Sequence, residues 1–125
     1  MSSNTAELHR TVGAADTAAA WGPDFPAAAS TPFVLSLAEL VCHGMLADGL
    51  ADDEITVGAG VELTHDRPSP VGATLTARAT LQDRQGRKAF FTVEVTDDNG
   101  QPVAHVKHTR AVLKRSVIES ALATG

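Results

Sequence analysis

The chain has 125 residues, enough for one hydrophobic core but not two, and its 43% apolar content is that of a soluble globular domain. Aromatic residues make up only 4%, with no tyrosine, so the core must be built from Val, Leu and Ala. A net charge of −5 argues against nucleic acid as the main partner, because phosphate binding leaves a basic footprint, and no stretch approaches membrane-spanning length.

Residues 1–10 are polar and expected to be poorly ordered, although Leu8 to Val12 could begin a short strand. Met1 to Ala20 shows no basic start followed by an apolar stretch, so a cytoplasmic protein is the default expectation. The segment Asp16 to Ala29 contains Trp21-Gly22-Pro23 and Phe25-Pro26, which interrupt any helix; it reads as a helical turn followed by an irregular cover. Thr31-Pro32 then predicts a helix start, with a hydroxyl at the N-cap and proline at the first helical position, and the helix runs to about Gly49.

Within that helix, Glu39 is the only charge in the run from Ser30 to Cys42, and its neighbours three and four positions away are Leu35, Ser36, Cys42 and His43. A solvated face would carry several charges, so the pattern predicts a helix buried nearly all round with one acid pointing inward. A buried acid is costly unless it is paired or used, although a rim position with a surface cation is the bland alternative. Cys42, the only cysteine, sits in the same apolar run and reads as a small core residue; alone it can form neither an intrachain disulfide nor a cysteine-based zinc cluster.

After the helix the period changes to two. Val57, Ala59, Val61, Leu63 and His65 share one strand face, with Gly58, Gly60, Glu62 and Thr64 on the other. Asp66 to Pro70 is a loop, and Leu75, Ala77, Ala79 and Leu81 make a second alternating face. Ala89, Phe91, Val93 and Val95 make a third, and Asp97-Asp98-Asn99-Gly100 is a hairpin turn. In the last strand Ala104, Val106, His108, Arg110 and Val112 share a face, and residues 116–125 are expected to be poorly ordered. One helix followed by four antiparallel strands is an α+β single domain over 1–125, and its exposed sheet edges favour pairing with a second copy.

Thr31, Glu39 and His65 thus converge on one interior. Taken singly, Thr31 could be only an N-cap and His65 a satisfied strand-end histidine. Together, a hydroxyl, a carboxylate and an imidazole in an apolar setting can activate a hydroxyl or water against a carbonyl.

The segments Thr31-Pro32-Phe33 through Ala38-Glu39, Val61-Glu62-Leu63-Thr64-His65 and His108-Thr109-Arg110-Ala111-Val112 resemble the hot-dog-fold thioesterases related to fluoroacetyl-CoA thioesterase. The resemblance covers roughly residues 12–114 and implies a hot-dog fold, a long central helix wrapped by an antiparallel sheet, that dimerises. It implies a catalytic group of Thr31, Glu39 and His65, with Glu39 as nucleophile or general base, Thr31 assisting, and His65 orienting substrate and water or handling the proton. Gly58 falls on a family glycine near the acyl thioester and Arg110 on a family arginine of the last strand. Phe25 matches one lid phenylalanine and Phe33 is counted with the acyl-binding residues, but Gly22 stands where a second lid aromatic is expected and so loosens the cover.

The resulting expectation is hydrolysis of a small or medium acyl-CoA thioester at the interface of a homodimer, with pairing into tetramers left open. Coenzyme A is part of the substrate; no separate cofactor, no metal, no nucleic acid and no membrane is expected. His9, His43, His65, His105 and His108 lie on different elements without compact ligand spacing. Arg67, Arg78, Arg84, Arg87 and Lys88 are available to the phosphates, although such residues are more often solvated surface. The rival readings are a non-catalytic protein that holds an acyl thioester or small acid in the same cavity, and a hot-dog hydratase. A binding module has no need of a carboxylate beside an acyl carbonyl, and the Asp and His pair of such hydratases is missing around Thr31.

Overall fold

Alternating small and branched apolar residues make one sheet face that a helix can approach closely, and this pattern sets the architecture. A computed structural model describes residues 4–124. Strands β1 (Thr5–Thr11), β2 (Glu54–His65), β3 (Thr74–Gln85), β4 (Lys88–Thr96) and β5 (Pro102–Lys114) form a single antiparallel sheet in the order β1-β3-β4-β5-β2. Helix α1 (Thr31–Ala47) lies on its inner face, and a second helix, α2 (Arg115–Thr124), follows β5.

The core joins Val34, Leu37, Ala38, Val41 and Cys42 of α1 to Leu75, Ala77 and Ala79 of β3 and to Ala89, Phe91, Val93 and Val95 of β4. Burying each Val, Leu or Phe side chain contributes about 1.5–3 kcal/mol. Val106, His108, Arg110 and Val112 of β5 are buried on the expected face. The other face carries Thr76, Arg78, Thr80, Glu94, His105 and Lys107 and has no helix over it. The turn after β4 closes as its residues demand: Gly100 takes φ 75°, and the Asp97 carboxylate accepts from the Asn99 and Gln101 amides.

Several expectations need correction. The sheet has five strands, because residues 5–11 pair along β3 from Thr5↔Thr80 to Thr11↔Thr74, so the short strand allowed from Leu8 begins three residues earlier, among residues expected to fray. That strand is held by backbone pairing at a sheet edge and by Ala6 and Leu8, which pack against the core. Residues 116–124, within the stretch 116–125 expected to be poorly ordered, form α2 together with Arg115, though none of its residues is buried.

Helix α1 starts one residue earlier in its capping logic than predicted: Ser30 is the N-cap, its hydroxyl accepting from the Phe33 amide at 3.2 Å. Nor is α1 buried all round. The Glu39 side chain is 42% exposed and Leu40 is 51% exposed, because the sheet covers only one side of the helix in a single chain.

The largest correction lies in β2. Its pairing with β5 shifts between Gly58 and Gly60, leaving Ala59 as a bulge. Beyond the bulge Leu63 and His65 face inward as predicted; before it the phase inverts, so that Thr56 is buried and Gly58 faces the helix while Val57 does not. Among the described residues no helix is long and apolar enough to cross a membrane.

Candidate active site

Because Ser30 caps α1, the hydroxyl of Thr31 is free to point elsewhere, and β2 ends where it can reach it. Thr31 Oγ1 lies 2.9 Å from His65 Nδ1. The other ring nitrogen, Nε2, is buried and has no hydrogen-bond partner among the described residues. Such an atom is costly unless something else satisfies it, as a bound substrate or water can.

The pair opens onto a cavity of about 390 Å³ lined also by Trp21, Pro26, Ala28 and Arg67. Trp21, which the sequence placed only in a cover segment, therefore belongs to its wall. The rings of Trp21 and Phe25 meet edge to face, with centroids 5.4 Å apart. Gly22, the residue expected to loosen this segment, stands at φ 148° at the start of a bend in which its carbonyl accepts from the Phe25 amide at 3.2 Å. Both rings stay largely open, at 56% and 45% exposure for Trp21 and Phe25. Phe33 is half-buried against the core and, like Phe25, does not line this cavity.

Glu39 belongs to a second cluster. Arg110 Nη1 lies 3.4 Å from Glu39 Oε1 and 3.0 Å from His108 Nε2, while Arg110 Nε donates to Thr56 Oγ1 at 2.9 Å and Nη2 to the Thr56 carbonyl at 3.2 Å. Burial holds His108 below its ordinary range, so the neutral ring donates from Nδ1 to the Gly60 carbonyl at 2.8 Å and accepts from Arg110 on Nε2. His43, one turn beyond Glu39, lies 2.6 Å from Thr56 Oγ1. A Cβ on Gly58 would stand 2.5 Å from Glu39 Oε1, so only glycine leaves the carboxylate its present place against β2.

Burial pushes the Cys42 thiol up to about 12, which fits a core residue and not a nucleophile. Among the described residues no group of three or more His, Cys, Asp or Glu is arranged to hold a metal.

The three expected catalytic residues thus fall into two clusters within one chain. Thr31 and His65 touch; Glu39 contacts neither, and pairs instead with Arg110 beside Gly58. Eight residues separate Thr31 from Glu39, about 12 Å of helix rise and about 80° around its axis. Along β2, Gly58 and His65 stand seven residues apart, roughly 20 Å of strand. Thr56, His108 and His43 were not singled out from the sequence: parity put Thr56 outward, and only the bulge turns it in.

Comparison with known proteins gives a consistent picture. Residues 12–116 match the family described as FlK, fluoroacetyl-CoA-specific thioesterase. The fluoroacetyl-CoA thioesterase of Streptantibioticus cattleyicolor is 30% identical over 90 residues, which span 72% of this chain and 64% of that protein, short of two thirds of its length. A solved structure of the fluoroacetyl-CoA thioesterase FlK superposes with a TM-score of 0.90 at 24% identity, covering 96% of this chain and 93% of that one. A thioesterase superfamily member from Thermus thermophilus superposes at 0.89 and 18% identity over 96% and 88% of the two chains. A hot-dog-like protein from Thermanaerovibrio acidaminovorans gives 0.87 and 20% over the same shares. The likeness establishes the hot-dog fold.

Proposed function

The chain belongs to the fluoroacetyl-CoA-specific thioesterase family, and from that premise we propose that it hydrolyses a small or medium acyl-CoA thioester to the free acid and CoA. The observation that carries the reading is the Thr31–His65 hydrogen bond at a cavity wall, with His65 Nε2 buried and unpartnered. Glu39, Thr31 and His65 are its catalytic group, Gly58 and Arg110 hold the acid in place, and Phe25 backs Trp21 of the cavity wall, while Phe33 packs on the core away from that cavity. Hydrolysis of this kind proceeds with these side chains alone, so neither metal nor separate cofactor takes part. The working compartment is the cytoplasm, and neither membrane nor nucleic acid is a partner.

The separation of the two clusters favours a homodimer as the working unit. β2 is a sheet edge, with Val61 48% exposed near its middle and Leu40 51% exposed on the adjacent helix. Two copies of β2 paired antiparallel about a two-fold axis near Val61 would lay Gly58 and Glu39 of one copy against the partner's His65 and Thr31. A carboxylate that is half-open in one chain thereby becomes enclosed beside the acyl group. Such dimers can pair further into tetramers through other faces.

The thioester then sits with its carbonyl near His65 and Thr31 and is attacked on the Glu39 side, either by water that the carboxylate deprotonates or by the carboxylate itself, whose mixed anhydride water then cleaves. On both routes the C–S bond breaks and CoA leaves as a thiolate that takes up a proton. Measuring thiol release from acyl-CoAs of increasing chain length tests the activity: turnover of short and medium chains is expected, and no turnover of any of them would remove the proposal.

The lid residues bear on selectivity. Trp21 and Phe25 meet each other but remain open to solvent, so they do not form a closely packed wall around a two-carbon acyl group. Hydrophobic pockets discriminate poorly between near-isosteres, and the preference for fluoroacetyl-CoA over acetyl-CoA should therefore stay below about a hundredfold. Paired steady-state measurements on the two substrates check this, and a preference of many thousandfold would mean that the lid closes tightly in use.

A further inference from the structure

His43 takes no part in the chemistry above, yet its contact to Thr56 is among the shortest in the inner cluster. It lies on α1 four residues after Glu39, on the same helix face, and its Nδ1 is 2.6 Å from Thr56 Oγ1. Thr56 is buried and already accepts, on that same oxygen, the Nε–H of Arg110 at 2.9 Å. A threonine hydroxyl has one proton to give. One of its two lone pairs is taken by Arg110, which leaves the hydroxyl proton free to go to His43 Nδ1 when the imidazole carries its own proton on Nε2; in that tautomer the bonds run from Arg110 through Thr56 to His43.

The other end of the same guanidinium holds the acid. Nε and Nη2 are both committed to Thr56, which sets the plane of the fork; Nη1 is left aimed at His108 and Glu39. A turn of the Thr56 side chain that carries Oγ1 away from Arg110 frees Nε and leaves the fork held to Thr56 by Nη2 alone, so that Nη1 can swing. The Glu39 contact, at 3.4 Å the longest of the set, is the first to be lost.

We infer that His43 is a positioning residue for Glu39, acting through Thr56 and Arg110. The inference rests on the thioesterase reading for its consequence in catalysis, though not for the bond network itself. His43 never reaches the substrate in this scheme; its effect is on how often the carboxylate stands where attack can occur. Its removal therefore lowers kcat and leaves KM nearly unchanged.

The test compares wild type, His43→Leu, His43→Asn and Thr56→Val in steady-state hydrolysis of the best acyl-CoA, with thermal midpoints measured alongside. His43→Leu should lose about tenfold in kcat with KM within about twofold, the scale of a lost supporting contact. His43→Asn, whose side-chain oxygen can accept the same proton, should recover most of that loss. Thr56→Val should match His43→Leu, and the double variant His43→Leu/Thr56→Val should be no slower than Thr56→Val alone, because both remove one link.

A second readout is independent of turnover: the Arg110 Nε–H proton, followed by nitrogen-15 NMR, should exchange with solvent at least several times faster in His43→Leu than in wild type. Unchanged kcat and unchanged exchange in a folded His43→Leu protein would overturn the inference. Fully additive losses in the double variant would do so as well. If the wild type itself releases no thiol, the thioesterase reading falls, and the Arg110 exchange rate alone then decides whether His43 holds the arginine.

Discussion

Glu39→Gln is expected to cut thioester hydrolysis by at least about a hundredfold, the scale of a lost catalytic acid or base, while the protein folds normally. The amide keeps the size of the carboxylate and can still accept from Arg110 Nη1 through its oxygen, so the fork and its bonds to Thr56 and His108 survive. What disappears is the negative charge and the basicity. The Glu39–Arg110 pair has an acid that is 42% exposed and a separation of 3.4 Å, so its own contribution to stability is about 0–1 kcal/mol. The thermal midpoint should therefore shift by only a few degrees. Near-normal turnover in the folded variant would take Glu39 out of the chemistry.

The second large effect is expected at His65. His65→Ala removes the ring that meets Thr31 at 2.9 Å and leaves that hydroxyl, on an exposed helix start, to solvent. The strand end itself is held by the pairing of His65 with Ala104 along the backbone, which alanine preserves. Turnover should fall roughly a hundredfold, as for other positioned proton-transfer groups, with a much smaller change in KM. A loss shared equally between affinity and rate would instead make His65 a contact for the bound substrate only. Absence of hydrolysis in wild type and variant alike would favour a protein that only binds acyl thioesters.

How much of this could be read from the residues depends on the element. Helix α1 and strands β3, β4 and β5 follow the simple periods of their apolar residues, and Ala104, Val106, His108, Arg110 and Val112 face inward together as parity requires. β2 does not, because the Gly58-Ala59-Gly60 run permits a bulge, and one extra residue reverses which side chains are inside. Strict alternation placed Gly58 on the outer face, and family resemblance put it only near the acyl thioester; its place against Glu39 comes from the bulge. β1 was only half legible, since an edge strand tied by backbone pairing and by Ala6 and Leu8 leaves a short apolar trace.

Glu39 was legible as an unusual charge, and of its two readings, an inward acid and a rim acid paired with a cation, the half-open position beside the buried Arg110 combines parts of both. Its apolar surroundings suggested burial within the chain, whereas Leu40 and Val61, also exposed, mark a surface that one chain leaves uncovered. Eight residues of helix already set Thr31 about 12 Å from Glu39, but which end of β2 each meets could not be read from spacing. The polar network of His43, Thr56, Arg110 and His108 was hidden for a simpler reason: each residue is ordinary alone, and only the inverted phase before the bulge brings them together.

Complementation between two inactive variants tests the central claim, a Thr31/Glu39/His65 hydrolase whose sites are shared by two copies. Glu39→Gln and His65→Ala chains carrying different tags are co-produced, and the mixed dimer is purified through both tags. If Glu39 of one copy works with the partner's His65, the mixed dimer holds one intact site and one doubly impaired site, and it should regain roughly half the wild-type turnover from its two-fold arrangement. A purified mixed dimer no more active than its parents would contradict the account.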